Sequence, residues 1–221
     1  MDGRLLLHLG CGPEVQATDW TDVDGSLNLL WQRWLPAGVM HRLRRRMRLM
    51  SWPVHVRYLD LRRPLPFATS SVDAIYASHV LEHLHAEDAA RLLGECLRVL
   101  RPGGYLRLVL PDLRSMVEEY LADADPEAAV RLNRRLLFRP ERHHRGLWHR
   151  LQAVFGDMHS HKFMYDLPSL SLRLALAGFS DIRGMGYLES RIPETPQVER
   201  AGRILEGEGF VIEAMKGHGR A

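Results

Sequence analysis

The stretch that most restricts what this chain can fold into is Leu5-Leu6-Leu7-His8-Leu9-Gly10-Cys11-Gly12. A short, continuous apolar run that breaks into Gly10-Cys11-Gly12-Pro13 reads as a buried parallel strand ending in a tight turn, where glycines let a ligand approach the backbone. Thr18-Asp19-Trp20-Thr21-Asp22-Val23-Asp24-Gly25 follows as a second short strand with a carboxylate at its exit. In an open α/β sheet a carboxylate there can hold the two hydroxyls of a ribose. Asp22 and Asp24 both qualify.

The rest of the chain repeats this grammar. Residues 27–35 and 39–50 read as helices separated by Pro36 and Gly38, and the β-branched alternation of 54–59 reads as a third strand closing on Asp60. Pro64-Leu65-Pro66-Phe67 is extended, and 72–77 is an apolar strand ending at Ser78-His79. Leu81 to Leu84 forms a helical turn, and Glu87 and Asp88 open a longer helix with a buried stripe of Ala89, Leu93, Cys96, Leu97 and Leu100. That helix stops at Arg101-Pro102-Gly103-Gly104, and the next strand covers 105–110. Asp166-Leu167-Pro168 starts a last helix and Gly178 ends it. Strands at 180–188 and 209–215 follow, with a loop containing Gly202 and Gly207 between them.

This order predicts an α/β fold with a doubly wound, mainly parallel sheet of the Rossmann-like kind. The carboxyl ends of its strands, where such sheets bind ligands, carry Gly10, Asp24, Asp60, Ser78 and Asp112. A length of 221 residues suits one domain spanning 1–221. Residues 113–165, helical at first and then rich in Arg and His, read as a helical lid inserted over the sheet edge.

No apolar run reaches the ~18 residues of a membrane helix, and the start of the chain does not read as a signal peptide, so a cytoplasmic location is expected. The two cysteines, Cys11 and Cys96, read as reduced thiols. The net charge of +3 reflects local arginine clusters. In 41–50, Leu43, Met47 and Met50 share one helix face and Arg42, Arg44, Arg45, Arg46 and Arg48 fill the remainder. Such a helix is either a solvated cationic face over a core stripe or a peripheral contact with an anionic membrane.

At this point the sequence resembles the class I S-adenosylmethionine-dependent methyltransferases. The likeness rests on Leu7-His8-Leu9-Gly10-Cys11-Gly12-Pro13, on Pro64-Leu65-Pro66-Phe67 leading into Val72-Asp73-Ala74-Ile75-Tyr76, on His79-Val80-Leu81-Glu82-His83-Leu84, and on Leu97-Arg98-Val99-Leu100-Arg101-Pro102-Gly103-Gly104. His161-Lys162-Phe163-Met164-Tyr165 and Ala177-Gly178-Phe179 extend it. The resemblance implies a seven-stranded sheet with an antiparallel last strand and S-adenosylmethionine across the first four strand ends. It implies that Gly10, Cys11 and Gly12 flank the cofactor's amino-acid part, that Asp24 holds the ribose, that Asp60 and Leu61 lie by the adenine, and that Ser78 and His79 border the methionine. The family's third glycine is missing, and the few residues after Pro13 leave only a vestigial first helix. That shortening favours Asp24 over Asp22.

Two rivals compete for these residues. A nicotinamide cofactor needs a full-length helix with its N-terminus facing the pyrophosphate, and here Pro13-Glu14 puts a carboxylate at that position. His79-Val80-Leu81-Glu82-His83 matches a zinc-hydrolase pattern, but the two histidines must share a helix and His79 follows directly on a strand. No bound metal is expected. Methyl transfer is an in-line displacement, so alignment in a dry pocket dominates. For a hydroxyl or amine acceptor, His161 or His159, oriented by Tyr165 or Asp112, would act as base. His143, His144 and His149 complete the lid's histidines. Arg131, Arg134, Arg135, Arg139, Arg142 and Arg145, with Phe138 and Trp148 interleaved, suit an anionic acceptor. The expected reaction is O- or N-methylation of a small-molecule or glycan acceptor, with nucleic acid ranked last. The alternative is a module of this fold that binds cofactor or an acidic partner without turnover.

Overall fold

The computed structural model describes residues 3–47, 49–136, 160–204 and 209–218. Seven strands form one sheet: β1 (Leu6–Leu9), β2 (Trp20–Asp24), β3 (Arg57–Tyr58), β4 (Val72–Ser78), β5 (Leu100–Pro111), β6 (Phe179–Met185) and β7 (Gly209–Lys216), in the spatial order β3-β2-β1-β4-β5-β7-β6. The first five pair in parallel, and β7 runs antiparallel to both β5 and β6. The chain reverses direction across the sheet between β1 and β4, so the carboxyl ends of β1, β2 and β4 open onto the topological switch point.

β4 is buried over its whole length, as a central strand covered on both faces must be. Its residues divide between two cores, alternating from Ala74 onward, after the register irregularity between Val72 and Ala74. Val72, Ile75 and Ala77 join one with α3 (Ala86–Val99) and α6 (Leu167–Ala177), and Ala74 and Tyr76 join the other. The α3 stripe is Ala89, Leu92, Leu93, Cys96 and Val99. Ala89, Leu93 and Cys96 stand as expected, while Leu92 and Val99 join the stripe, Leu97 only packs against that core, and Leu100 belongs to β5. α6 begins and ends as the sequence indicates. Asp166 and Ser169 form a reciprocal capping box, and Gly178 closes the helix at φ 101°.

Three expectations need correction. The strand over 54–59 shrinks to two residues, because Val54 is 92% exposed and only Val56 reaches the interior. Arg101-Pro102-Gly103-Gly104 does not separate helix from strand. It belongs to β5 as an irregularity in the register with β4, and a Cβ at Gly104 would lie 2.9 Å from the carbonyl oxygens of Arg101 and Asp73. The segment between β6 and β7 is more than a loop. Its 3-10 turns at Thr195–Gln197 and Ala201–Arg203 help cover the Ala74/Tyr76 face, with Ile192 and Val198 buried there.

That cover is tied down by a buried charge cluster. Arg107 of β5 donates to both oxygens of Glu199 at 2.8 Å, to Glu213 of β7 at 2.9 Å, and to the carbonyls of Glu189 and Gly186. All three charged side chains are fully buried. A buried cation needs such paired and hydrogen-bonded surroundings, and the two-pronged guanidinium grips sheet and loop together.

Among the described residues no helix separates β1 from β2. Instead α1 (Leu27–Trp34) and α2 (Ala37–Met47) follow β2, and α4 (Leu113–Ala122) and α5 (Ala128–Arg135) follow β5. α4 and α5 lie within the 113–165 segment, of which residues 137–159, with His143, His144, His149 and His159, lie outside the described residues. α2 ends at Met47, so Met50 sits beyond it and is 48% exposed. No described helix is long and apolar enough to cross a membrane.

Candidate active site

The turn after β1 is shaped by its glycines. Gly10 sits at φ 66° and its amide donates to the Val23 carbonyl at 2.8 Å, while Gly12 sits at φ 73° and its amide donates to Oδ2 of Asp24 at 3.1 Å. A Cβ on Gly10 would meet Val80 Cγ2 at 2.4 Å, whereas one on Gly12 would have nothing within 4 Å. The first glycine therefore lets the turn pack, and the second leaves space above it. Cys11 points inward. Its thiol donates to the Gly12 carbonyl at 3.4 Å, and burial with the nearby Asp24 and Asp22 carboxylates pushes its pKa far up.

Asp22 and Asp24 have the same strand parity, so alternation cannot distinguish them. Their positions along β2 do. Asp22 is 2% exposed and faces His8 Nδ1 at 2.8 Å, with His55 Nε2 at 3.4 Å. Asp24, at the strand exit, accepts from the amides of Gly12 and Ser26 and faces an open cavity.

This cavity encloses about 570 Å³, a normal size for a small-molecule site. Its floor is formed by Gly10, Gly12 and Pro13, and its carboxylates are Asp24 and Asp60. Arg62 grips Asp60 through both oxygens, at 2.8 and 3.0 Å, and this hydrogen bonding holds the carboxyl below its ordinary range. Leu61 lies beside Asp60 on the wall. The opposite wall comes from α1 and the segment after α2, through Asn28, Trp31, Leu49, Met50 and Trp52. No motif in the sequence assigns these residues to the site. The wall is fastened by Asn28, which accepts from the Trp52 indole at 2.9 Å, and by Gln32, which bonds Trp52's backbone amide and carbonyl.

The end of β4 provides His79, Val80 and His83, and Lys162 and Arg203 approach from distant parts of the chain. His79 has φ 56°, a strained value for a residue with a side chain, and its amide is anchored on the Val109 carbonyl at 2.9 Å. Ser78, expected at the site, is buried and does not line the cavity, and its carbonyl accepts from Arg203 at 3.4 Å. Lys162 is held by its amide, which donates to the Glu82 carbonyl at 2.7 Å. Lys162 and Arg203 have no motif around them. Only folding reveals their role.

Neither the candidate base His161 nor its candidate orienting residue Asp112 lines this cavity. Asp112 caps α4, accepting from the Arg114 amide at 3.0 Å. His161 is buried behind His83, with ring centroids 5.0 Å apart, and burial lowers its pKa. His159 lies outside the described residues.

Residues 7–108 match the protein family described as a methyltransferase domain. A probable S-adenosylmethionine-dependent methyltransferase of Mycolicibacterium smegmatis is 34% identical over 110 residues, covering 50% of this chain and 39% of its own. A trans-aconitate 2-methyltransferase of Azoarcus sp. is 36% identical over 115 residues, covering 50% of this chain and 40% of its own. The chain thus spans well under half the length of these two curated relatives. The crystal structure of a SAM-dependent methyltransferase from Archaeoglobus fulgidus aligns with 97% of this chain and 87% of that one, with a TM-score of 0.52 at 16% identity, a likeness of fold.

Proposed function

We propose that this chain, whose residues 7–108 match the methyltransferase-domain family, acts as a class I, S-adenosylmethionine-dependent methyltransferase that methylates a small, anionic acceptor on oxygen or nitrogen. The observation carrying this reading is the cavity whose lining joins Gly10, Gly12, Asp24 and Asp60 to the basic residues Lys162 and Arg203. The cofactor side suits S-adenosylmethionine. Two carboxylates at the ends of parallel strands can receive hydroxyl and amine donors, the open space over Gly12 admits the amino-acid part, and Leu61, Val80 and Trp31 supply apolar wall. When bound, the cofactor supplies a methyl group on a positively charged sulfur that an acceptor displaces in line.

The protein's own work is then placement. Asp24, already oriented by two backbone amides, holds the ribose side, and Asp60 with Leu61 borders the base. Lys162 and Arg203 hold the acceptor's negative charge, and His79 and His83 border its reacting end. An anionic acceptor also agrees with the substrate named for the Azoarcus relative, a carboxylic acid. A phosphorylated or acidic glycan remains the second acceptor class. Incubation with methyl-labelled S-adenosylmethionine and fractionated cell metabolites, followed by mass spectrometry, tests the reading. Label in an acidic small molecule supports it, and cofactor binding with no transfer into any fraction favours a non-catalytic module.

A second contact rests on the surface beside the cavity wall. Trp34 is 80% exposed and Val54 92% exposed, joined through Arg33, which donates to the Val54 carbonyl, and α2 adds the exposed Arg42, Arg45 and Arg46. This combination suits an anionic lipid surface. Sedimentation with phosphatidylglycerol vesicles but not phosphatidylcholine vesicles is the expected result, and equal sedimentation with both would refute it.

A further inference from the structure

Glu82 is a fully buried carboxylate that does not line the cavity. Neither of its oxygens accepts a hydrogen bond, and the His79 ring nitrogen Nδ1 lies 3.2 Å from Oε1. A charge in that position is costly unless something compensates it. The backbone brings two further ligand types to it. Glu82 and His83 belong to the 3-10 turn Leu81–His83, and the Glu82 carbonyl accepts from the amides of Lys162 and Phe163 at 2.7 and 3.3 Å. Those bonds set the 160–163 segment across the turn and place His161 against it.

Glu82, His83 and His161 each offer a ligand atom, and the three atoms lie within 4.8 Å of one another. Both rings are steadied from behind by main chain. His83 Nδ1 is 3.3 Å from the Ser160 carbonyl, and His161 bonds to the backbone of Leu136 while its buried Nδ1 finds no partner. Histidines fixed through one nitrogen by a carbonyl, with the other turned toward a carboxylate, are the usual preparation for metal ligation.

We infer that Glu82, His83 and His161 bind one divalent transition-metal cation of the zinc type, a set of two imidazoles and one carboxylate. Binding draws the ligands inward, since tetrahedral zinc bonds of about 2.0–2.1 Å require closer ligand spacing than 4.8 Å. The set differs from the His79/Glu82/His83 pattern of the zinc hydrolases. His161 takes the place of His79, and it comes from an irregular segment 79 residues after Glu82 by their numbering. His83 also lines the cavity, so the proposed ion site adjoins it. The inference stands independently of methyl transfer.

The test is metal content of the full chain. After chelator treatment and buffer exchange, zinc is titrated in and counted by mass spectrometry, and cobalt is followed by its visible absorption. One ion per chain is expected, with affinity reduced at least about tenfold in both Glu82→Gln and His161→Asn. Circular dichroism verifies that each variant is folded, and using two variants keeps the test open if one is not. No zinc uptake by the wild-type chain, or unchanged uptake in both folded variants, overturns the inference. Calorimetry with S-adenosylmethionine in excess chelator is run alongside. Binding there leaves the cofactor reading intact whatever the zinc result.

Discussion

Alanine at Gly10 and at Gly12 should have unequal costs, and the structure gives the difference. Both residues occupy left-handed backbone, at φ 66° and 73°, which charges any side chain about 1–2 kcal/mol. At Gly12 that is the whole cost to folding, because no atom lies within 4 Å of the new Cβ. At Gly10 the Cβ falls 2.4 Å from Val80 Cγ2, against an ordinary carbon contact of about 3.5–4.0 Å. Val80 is 8% exposed and branched at Cβ, so it cannot swing clear, and overpacking of this kind adds about 1–3 kcal/mol. Gly10→Ala should therefore lose about 2–5 kcal/mol and Gly12→Ala about 1–2 kcal/mol. For a chain of this length the melting temperature drops by about 2–4 °C per kcal/mol. Urea denaturation of both variants, together with Gly10→Ala/Val80→Ala, measures the contact directly as a coupling energy. Equal losses for the two alanines, or additive losses in the Gly10/Val80 pair, would refute the packing argument.

Other consequences can be checked separately. Arg107→Met should destabilise by about 3–5 kcal/mol in urea denaturation, since Glu199 and Glu213 are left buried without their cation. Burial and adjacent carboxylates raise the Cys11 thiol, and burial raises Cys96 to about 12, so both stay protonated at pH 8. Neither should react with a disulfide reagent until the protein unfolds. The Asp60 carboxyl is held below its model-peptide value by hydrogen bonds from Arg62, so its contribution to stability is present above that value and fades as pH falls through the lower folded-state pKa. In Arg62→Ala an NMR titration should show the Asp60 midpoint rising. An unchanged midpoint would discount the guanidinium as the cause.

The parts of this fold legible in the sequence are those set by local pattern. Leu6–Leu9 ends in a glycine turn, and Asp166 and Gly178 mark a helix by cap chemistry that needs no distant partner. The losses occur where a segment's fate depends on what lies beside it. Val54 has strand-forming chemistry but gains no neighbouring strand, and Gly103 and Gly104 look like a stop although β4 keeps that segment in the sheet. The segment containing Thr195 and Glu199 carries no helical or strand period, yet the exposed sheet face and Arg107 bury it. The site divides the same way. Gly10, Gly12, Asp24, Asp60, Leu61 and His79 meet on one cavity because each ends or follows a strand. Asp112 shares that position in the sequence pattern but spends its carboxylate on the α4 cap. Lys162, Arg203 and Trp52 arrive through tertiary contacts that no local spacing announces.

The central claim is that Asp24, and not its strand neighbour Asp22, holds the cofactor in the cavity at the end of β1 and β2. Calorimetric titration of S-adenosylmethionine into the wild-type chain, Asp24→Asn and Asp22→Asn tests it. The account predicts binding to wild type, a loss of at least about tenfold for Asp24→Asn, in line with about 1.5–3 kcal/mol for a hydrogen bond to a charged group, and near-normal affinity in folded Asp22→Asn. No binding to wild type, or equal binding by wild type and Asp24→Asn, would contradict it.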